Sequence, residues 1–147
     1  MERKLSTAVL SFLGLFVTVQ GLLLDPENLL KYQECYTYAL CHSDGVGVEK
    51  IDSCINMLKP EEMDEELQKI ANYYNFKTND IFAVIPKYCK LDDAKKPDAY
   101  EAIVKGIADY EKELCTDGSK KDGCTRMTQN VDCFTGYLEQ LKQQGKC

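Results

Sequence analysis

The chain opens with Met1-Glu2-Arg3-Lys4, and the positions from Leu5 to Val19 are then apolar apart from a few Ser and Thr. A short basic stretch followed by an apolar run is the order of a secretory signal peptide. The run is about fifteen residues long, short of the roughly twenty that a membrane-spanning helix needs. Val19 and Gly21 are small enough for the minus-three and minus-one positions of the cleavage site, so residues 1–21 are read as a leader that is removed and 22–147 as the mature chain. No later stretch is apolar for even ten residues, so no membrane span is expected.

Beyond the leader, apolar residues recur three and four apart, the period of a helix with one buried face. Asp25-Pro26-Glu27 supplies an N-cap and a proline at the first helical position, and Leu29, Tyr32, Tyr36, Ala39 and Leu40 then share a face. That helix is expected to stop near His42-Ser43-Asp44-Gly45. A second stripe runs through Val48, Ile51, Cys54, Ile55 and Leu58, and Pro60 ends it or opens the next helix. The third carries Met63, Leu67, Ile70 and Tyr74. Around them Glu61, Glu62, Asp64, Glu65 and Glu66 read as a solvated acidic face suited to the positive end of the helix dipole. Residues 78–90 fit a buried strand or a short helix interrupted by Pro86, and helix is favoured because no second strand is visible to pair with it. After a charged loop from Lys90 to Pro97, Tyr100, Ile103, Ile107, Tyr110 and Leu114 define a long helix. The Gly- and Asp-rich turn at 116–123 follows, and Met127, Val131, Phe134, Leu138 and Leu141 give a last helix ending at Gly145. The expected fold is therefore all-α, a single small domain of four to five helices.

Cysteine changes the picture most. All eight, Cys35, Cys41, Cys54, Cys89, Cys115, Cys124, Cys133 and Cys147, lie beyond the leader. An even count in a short exported chain reads as a disulfide framework of about four bridges, formed in an oxidising compartment. Cys124 and Cys133 are nine residues apart on one helix, about 900° of rotation and so on opposite faces. Cys35 and Cys41 also diverge. Neither pair can close within its own helix, so each of these cysteines is expected to tie its helix to a neighbour, with Cys147 pinning the end of the last. Cys115 and Cys124 flank one turn and are a candidate local pair. The remaining connectivity stays open.

The whole chain carries a net charge of −6. Without Arg3, Lys4 and Glu2 it has 16 basic against 23 acidic residues, a net of −7. Nucleic acid and anionic membrane surfaces both need a basic face and are not expected as partners. Lysines 87, 90, 95, 96, 120 and 121 gather in two surface loops.

Candidate chemistry is sparse. The single histidine, His42, sits in Cys41-His42-Ser43-Asp44. Secreted phospholipases A2 also place a His and an Asp beside cysteines on a helix, where the His activates water. Here the Asp is two residues on, no paired cysteines precede it and no Gly-rich calcium loop lies upstream, so His42 reads as an exposed helix end. There is no Cys-x-x-Cys, no second histidine and no EF-hand pattern, so no metal or other cofactor is expected. An enzyme is not expected. Nine tyrosines and five phenylalanines with no tryptophan suggest a candidate apolar ligand cavity, lined by Tyr32, Tyr36, Tyr74, Phe82, Tyr88 and Tyr110.

The Cys124-x8-Cys133 spacing is similar to the last cysteine pair of insect odorant-binding proteins, and the exported, helical, disulfide-linked plan also resembles helical venom components. The Cys-x3-Cys of odorant-binding proteins is absent, and eight cysteines stand where they have six. The functional expectation is a secreted, venom-like effector, monomeric, that binds an extracellular channel, receptor or protease. The alternatives are a carrier of a small hydrophobic ligand and, more weakly, a hydrolase using His42.

Overall fold

The structure is a computed structural model that describes residues 24–147. The leader expected at 1–21 lies outside the described residues. Seven α-helices and one 3-10 turn follow in order: α1 (Pro26–Leu30), α2 (Gln33–Cys41), α3 (Val46–Ile55), α4 (Pro60–Ala71), the 3-10 turn Ile81–Ala83, α5 (Val84–Cys89), α6 (Lys96–Thr116) and α7 (Lys121–Gln143). No strand occurs among the described residues, and no described helix is long and apolar enough to cross a membrane.

Each predicted stripe faces one continuous core. Leu29, Tyr32, Tyr36, Ala39 and Leu40 are all buried, yet the single helix expected through them is two. Asp25 caps α1 through the Glu27 amide at 3.1 Å. The break falls at Lys31-Tyr32, where the Leu29 carbonyl accepts from the Tyr32 amide at 3.1 Å and from the Tyr100 hydroxyl at 2.7 Å. That carbonyl is thus engaged by an i+3 amide and a core phenol where a continuing helix would use its i+4 partner.

α6 is the central element. Its expected stripe of Tyr100, Ile103, Ile107, Tyr110 and Leu114 is buried, and so are Ala99, Ala102, Val104, Gly106 and Glu111 on its other faces. This wide buried face leaves only a narrower side, with Asp98, Asp109 and Lys112, turned to solvent. α4 packs most extensively on it, with α7, α1, α2 and α5 around the rest. α7 starts at Lys121, so the predicted turn at 116–123 shortens to 117–120. At its far end Gly145 takes a left-handed φ of 71°. The Lys146 amide then donates to Leu141 O and the Gly145 amide to Lys142 O, at 3.0 and 3.1 Å. This is the Schellman closure that turns the chain back off the helix.

Four disulfides link the helices: Cys35–Cys147, Cys41–Cys89, Cys54–Cys133 and Cys115–Cys124. The first pins the end of the chain to α2, and the last closes the α6–α7 turn. Lys96 departs from the expected surface patch: it is buried, and its Nζ donates to Leu91 O at 2.8 Å and to Asp93 Oδ1 at 2.9 Å.

Candidate functional site

α4 begins Pro60-Glu61-Glu62, with proline in the first turn and acids where the helix dipole favours them. The acidic face is not wholly solvated. Glu62, Glu66 and Ile70 stand four residues apart and form one inward stripe, with Glu62 at 7% exposure and Glu66 at 3%. Those two acids therefore depart from the expected solvated face, while Glu61, Asp64 and Glu65 keep to it.

Glu62 is fully partnered. Its carboxylate takes Arg126 Nε at 3.1 and 3.0 Å and Nη2 at 2.6 Å, and it reaches back to accept the Lys59 amide at 2.8 Å. The Arg126 hydrogen bonds, opposed by burial and aided by the Lys59 amide, hold its carboxyl below the usual range. A carboxylate with a depressed folded pKa stabilises above its unfolded value, and that contribution is lost as pH falls through the folded one. The wild type should lose stability on acidification over that window, and Arg126→Ala should flatten this limb in a profile of melting temperature against pH. An unchanged acid limb in Arg126→Ala would assign the loss to other groups.

One turn further on, Glu66 has no such help. Its Oε2 is buried without a hydrogen-bond partner among the described residues. Burial in low dielectric pushes its carboxyl up to about 8. It faces a cavity of about 40 Å³ lined by Tyr36, Ile51, Ile70, Ile85, Ile103 and Phe134, with Asn130 as the other polar wall residue. Asn130 is occupied, its Nδ2 donating to Cys54 O at 2.8 Å beside the Cys54–Cys133 bridge. The space holds about three water-sized positions, at roughly 10–15 Å³ each.

The six aromatic residues expected around one ligand cavity do not come together. Tyr36 alone lines the space at Glu66. Tyr88 packs edge-on against Tyr36, with ring centroids 5.1 Å apart, and its hydroxyl lies 2.7 Å from Thr37 Oγ1. Tyr32 donates to Glu139, which with burial raises its phenol to about 12. Tyr74 stacks at a tilt on Phe76, with centroids 4.7 Å apart, and Phe82 is half-buried on the 3-10 turn. Tyr110 donates to Glu65 Oε2 at 2.9 Å, and burial raises its phenol well above the usual value.

Tyr110 instead lines a surface groove of about 420 Å³ between α4, the 117–120 turn and the start of α7. Glu61, Glu65, Lys120, Lys121 and Asp122 give this groove charges of both signs. The Glu62–Arg126 pair spans from its α4 wall to α7, and the Cys115–Cys124 bridge closes the turn beside it. His42 is exposed just past the end of α2, in an open depression shared with Glu34, Asp93, Lys96 and Lys146. Among the described residues no cluster of three or more His, Cys, Asp or Glu is placed to hold a metal ion.

No family model, curated protein or solved structure is similar enough to this chain to count as a match.

Proposed function

We propose that this protein is a secreted effector that acts by binding an extracellular protein, after removal of its leader near Gly21. The observation that carries the reading is the filled interior: an interior space of about 40 Å³ against the roughly 300–1,000 Å³ of small-molecule sites. A carrier needs that volume, and its aromatic residues are here spent on packing. Four bridges across the helix bundle suit an oxidising compartment and a rigid presented surface. The groove of Glu61, Glu65, Lys120, Lys121 and Asp122 is the contact face we assign, because its charges are exposed and the turn beside it is closed by the Cys115–Cys124 bridge. The reading carries no catalytic step.

Oxidised mature protein titrated with N-phenyl-1-naphthylamine should give no saturable fluorescence gain, and saturable micromolar binding of that probe would favour the carrier. Labelled protein should bind intact target cells saturably, compete with unlabelled protein and lose its sites when the cells are treated with protease. Lys120→Glu combined with Lys121→Glu should weaken that binding about tenfold with an unchanged melting temperature, as expected for rim charges.

A further inference from the structure

α4 differs from the other long helices in how it is held. No cysteine lies between Cys54 and Cys89, so none of the four bridges touches Pro60–Ala71, whereas α2, α3, α6 and α7 each carry at least one. Apart from the hydrogen bond that Glu65 accepts from the buried Tyr110 hydroxyl, its rim contacts with α6, Lys69–Glu113 and, just past the helix end, Tyr73–Asp109, involve groups that are wholly or partly solvated. Such contacts hold an element weakly. What seats α4 is its inward stripe, and that stripe places Glu66 over the cavity at 3% exposure with Oε2 unpartnered.

We propose that α4 is a proton-latched cover: with its proton Glu66 keeps the helix closed on α6, and losing that proton releases α4 and uncovers the isoleucine-lined cavity. A neutral carboxyl can sit in apolar surroundings at modest cost, whereas a charge there needs a partner or water. Among the described residues no cation meets it from any side. α2 presents Tyr36, α6 presents Tyr110, α7 presents Asn130 and Arg126, and Arg126 is already committed to Glu62 on α4 itself. α3 presents Ile51, Cys54 and Ile55, and α5 presents Val84 and Ile85. Water is then the available partner, and it reaches Glu66 when α4 lifts. The bridges Cys54–Cys133 and Cys41–Cys89 hold the remaining walls in place, so Ile51, Ile85, Ile103 and Ile107 become an exposed apolar surface.

The sign follows from linkage. An acid whose closed-state pKa lies above its solvated value favours the closed form fully at low pH and loses that preference as pH rises toward the closed-state value, here about 8. One proton lost per opening makes the opening equilibrium grow about tenfold per pH unit over that window.

Hydrogen exchange by mass spectrometry between pH 5 and 9, corrected for intrinsic rates, tests this on the oxidised protein. Amides of residues 60–71 should be less protected than those in the middle of α7 at every pH, and their protection should fall about tenfold per unit up to pH 8. Binding of 8-anilinonaphthalene-1-sulfonate should rise in parallel. Glu66→Gln should abolish the slope, and Glu66→Met, which also removes the ionisation, should do the same should the amide variant misfold. α4 and α7 exchanging together, α4 protection indifferent to pH, or a slope retained in a folded Glu66 variant would each overturn the proposal.

Discussion

Reduction of the four disulfides is expected to unfold this protein at room temperature. A domain of this size buries only about two thirds of the surface its unfolded chain exposes, and net stabilities run to about 5–15 kcal/mol. Each bridge restricts the unfolded chain by typically about 2–4 kcal/mol, so four together rival the whole. The bridges are not equivalent. Cys35–Cys147 spans 112 residues and Cys115–Cys124 only 9. Loop-closure entropy puts these near about 4.8 and about 2.6 kcal/mol. Cys41–Cys89 and Cys54–Cys133, spanning 48 and 79 residues, interlock between them. Far-UV circular dichroism should collapse on adding reductant. Urea midpoints of the paired alanine variants should fall furthest for Cys35/Cys147 and least for Cys115/Cys124. A reduced protein that kept native dichroism and cooperative unfolding would show that the helical core stands without its bridges.

Which parts of this structure were readable from the sequence follows from what sets each of them. The stripes through Ile103, Ile107 and Leu114, or Met127, Val131 and Leu138, are local periodicities, and every one of those residues is buried. Cys115–Cys124 was legible because one turn confines both partners. The other three bridges join helices distant in sequence, and nothing local selects among those pairings. The split between α1 and α2 was hidden because its cause, the Tyr100 hydroxyl on Leu29 O, lies 71 residues away. Glu66 is hidden in the sequence for a different reason. Five acids in six residues read as solvent-facing, and composition outweighed register; the signal was the four-residue spacing of Glu62, Glu66 and Ile70, which puts two of those acids in line with a core isoleucine. Aromatic content suggests a ligand cavity, but Tyr88, Tyr100 and Phe134 pack around Tyr36 with ring centroids 5.1–5.7 Å away and fill the space themselves.

Glycine gives a test in which one substitution carries opposite signs at three helical positions. Replacing helical Gly by Ala gains about 0.5–1 kcal/mol of backbone preference where nothing obstructs the methyl group. Gly136 on α7 is such a site, since a Cβ there meets nothing within 4 Å among the described residues. Gly136→Ala should raise stability by about 1 kcal/mol. At Gly47 on α3 the same atom would lie 2.0 Å from Ala39 O of α2, and at Gly106 on α6 it would lie 2.5 Å from the Ile70 Cα of α4. The obstruction at both is backbone, which cannot rotate away, so the helices themselves must part. Gly47→Ala and Gly106→Ala should each cost about 3 kcal/mol or more, at or beyond the upper end of ordinary overpacking. The two differ in consequence. Gly47 lies between helices tied into the disulfide framework, whereas Gly106 seats the unbridged α4. Gly106→Ala should therefore also deprotect residues 60–71 in hydrogen exchange while α7 stays protected, and Gly47→Ala should not. Urea denaturation of the three variants checks the signs. Equal destabilisation at Gly136 and Gly106 would mean that helix contact at Ile70 is not what excludes a side chain there.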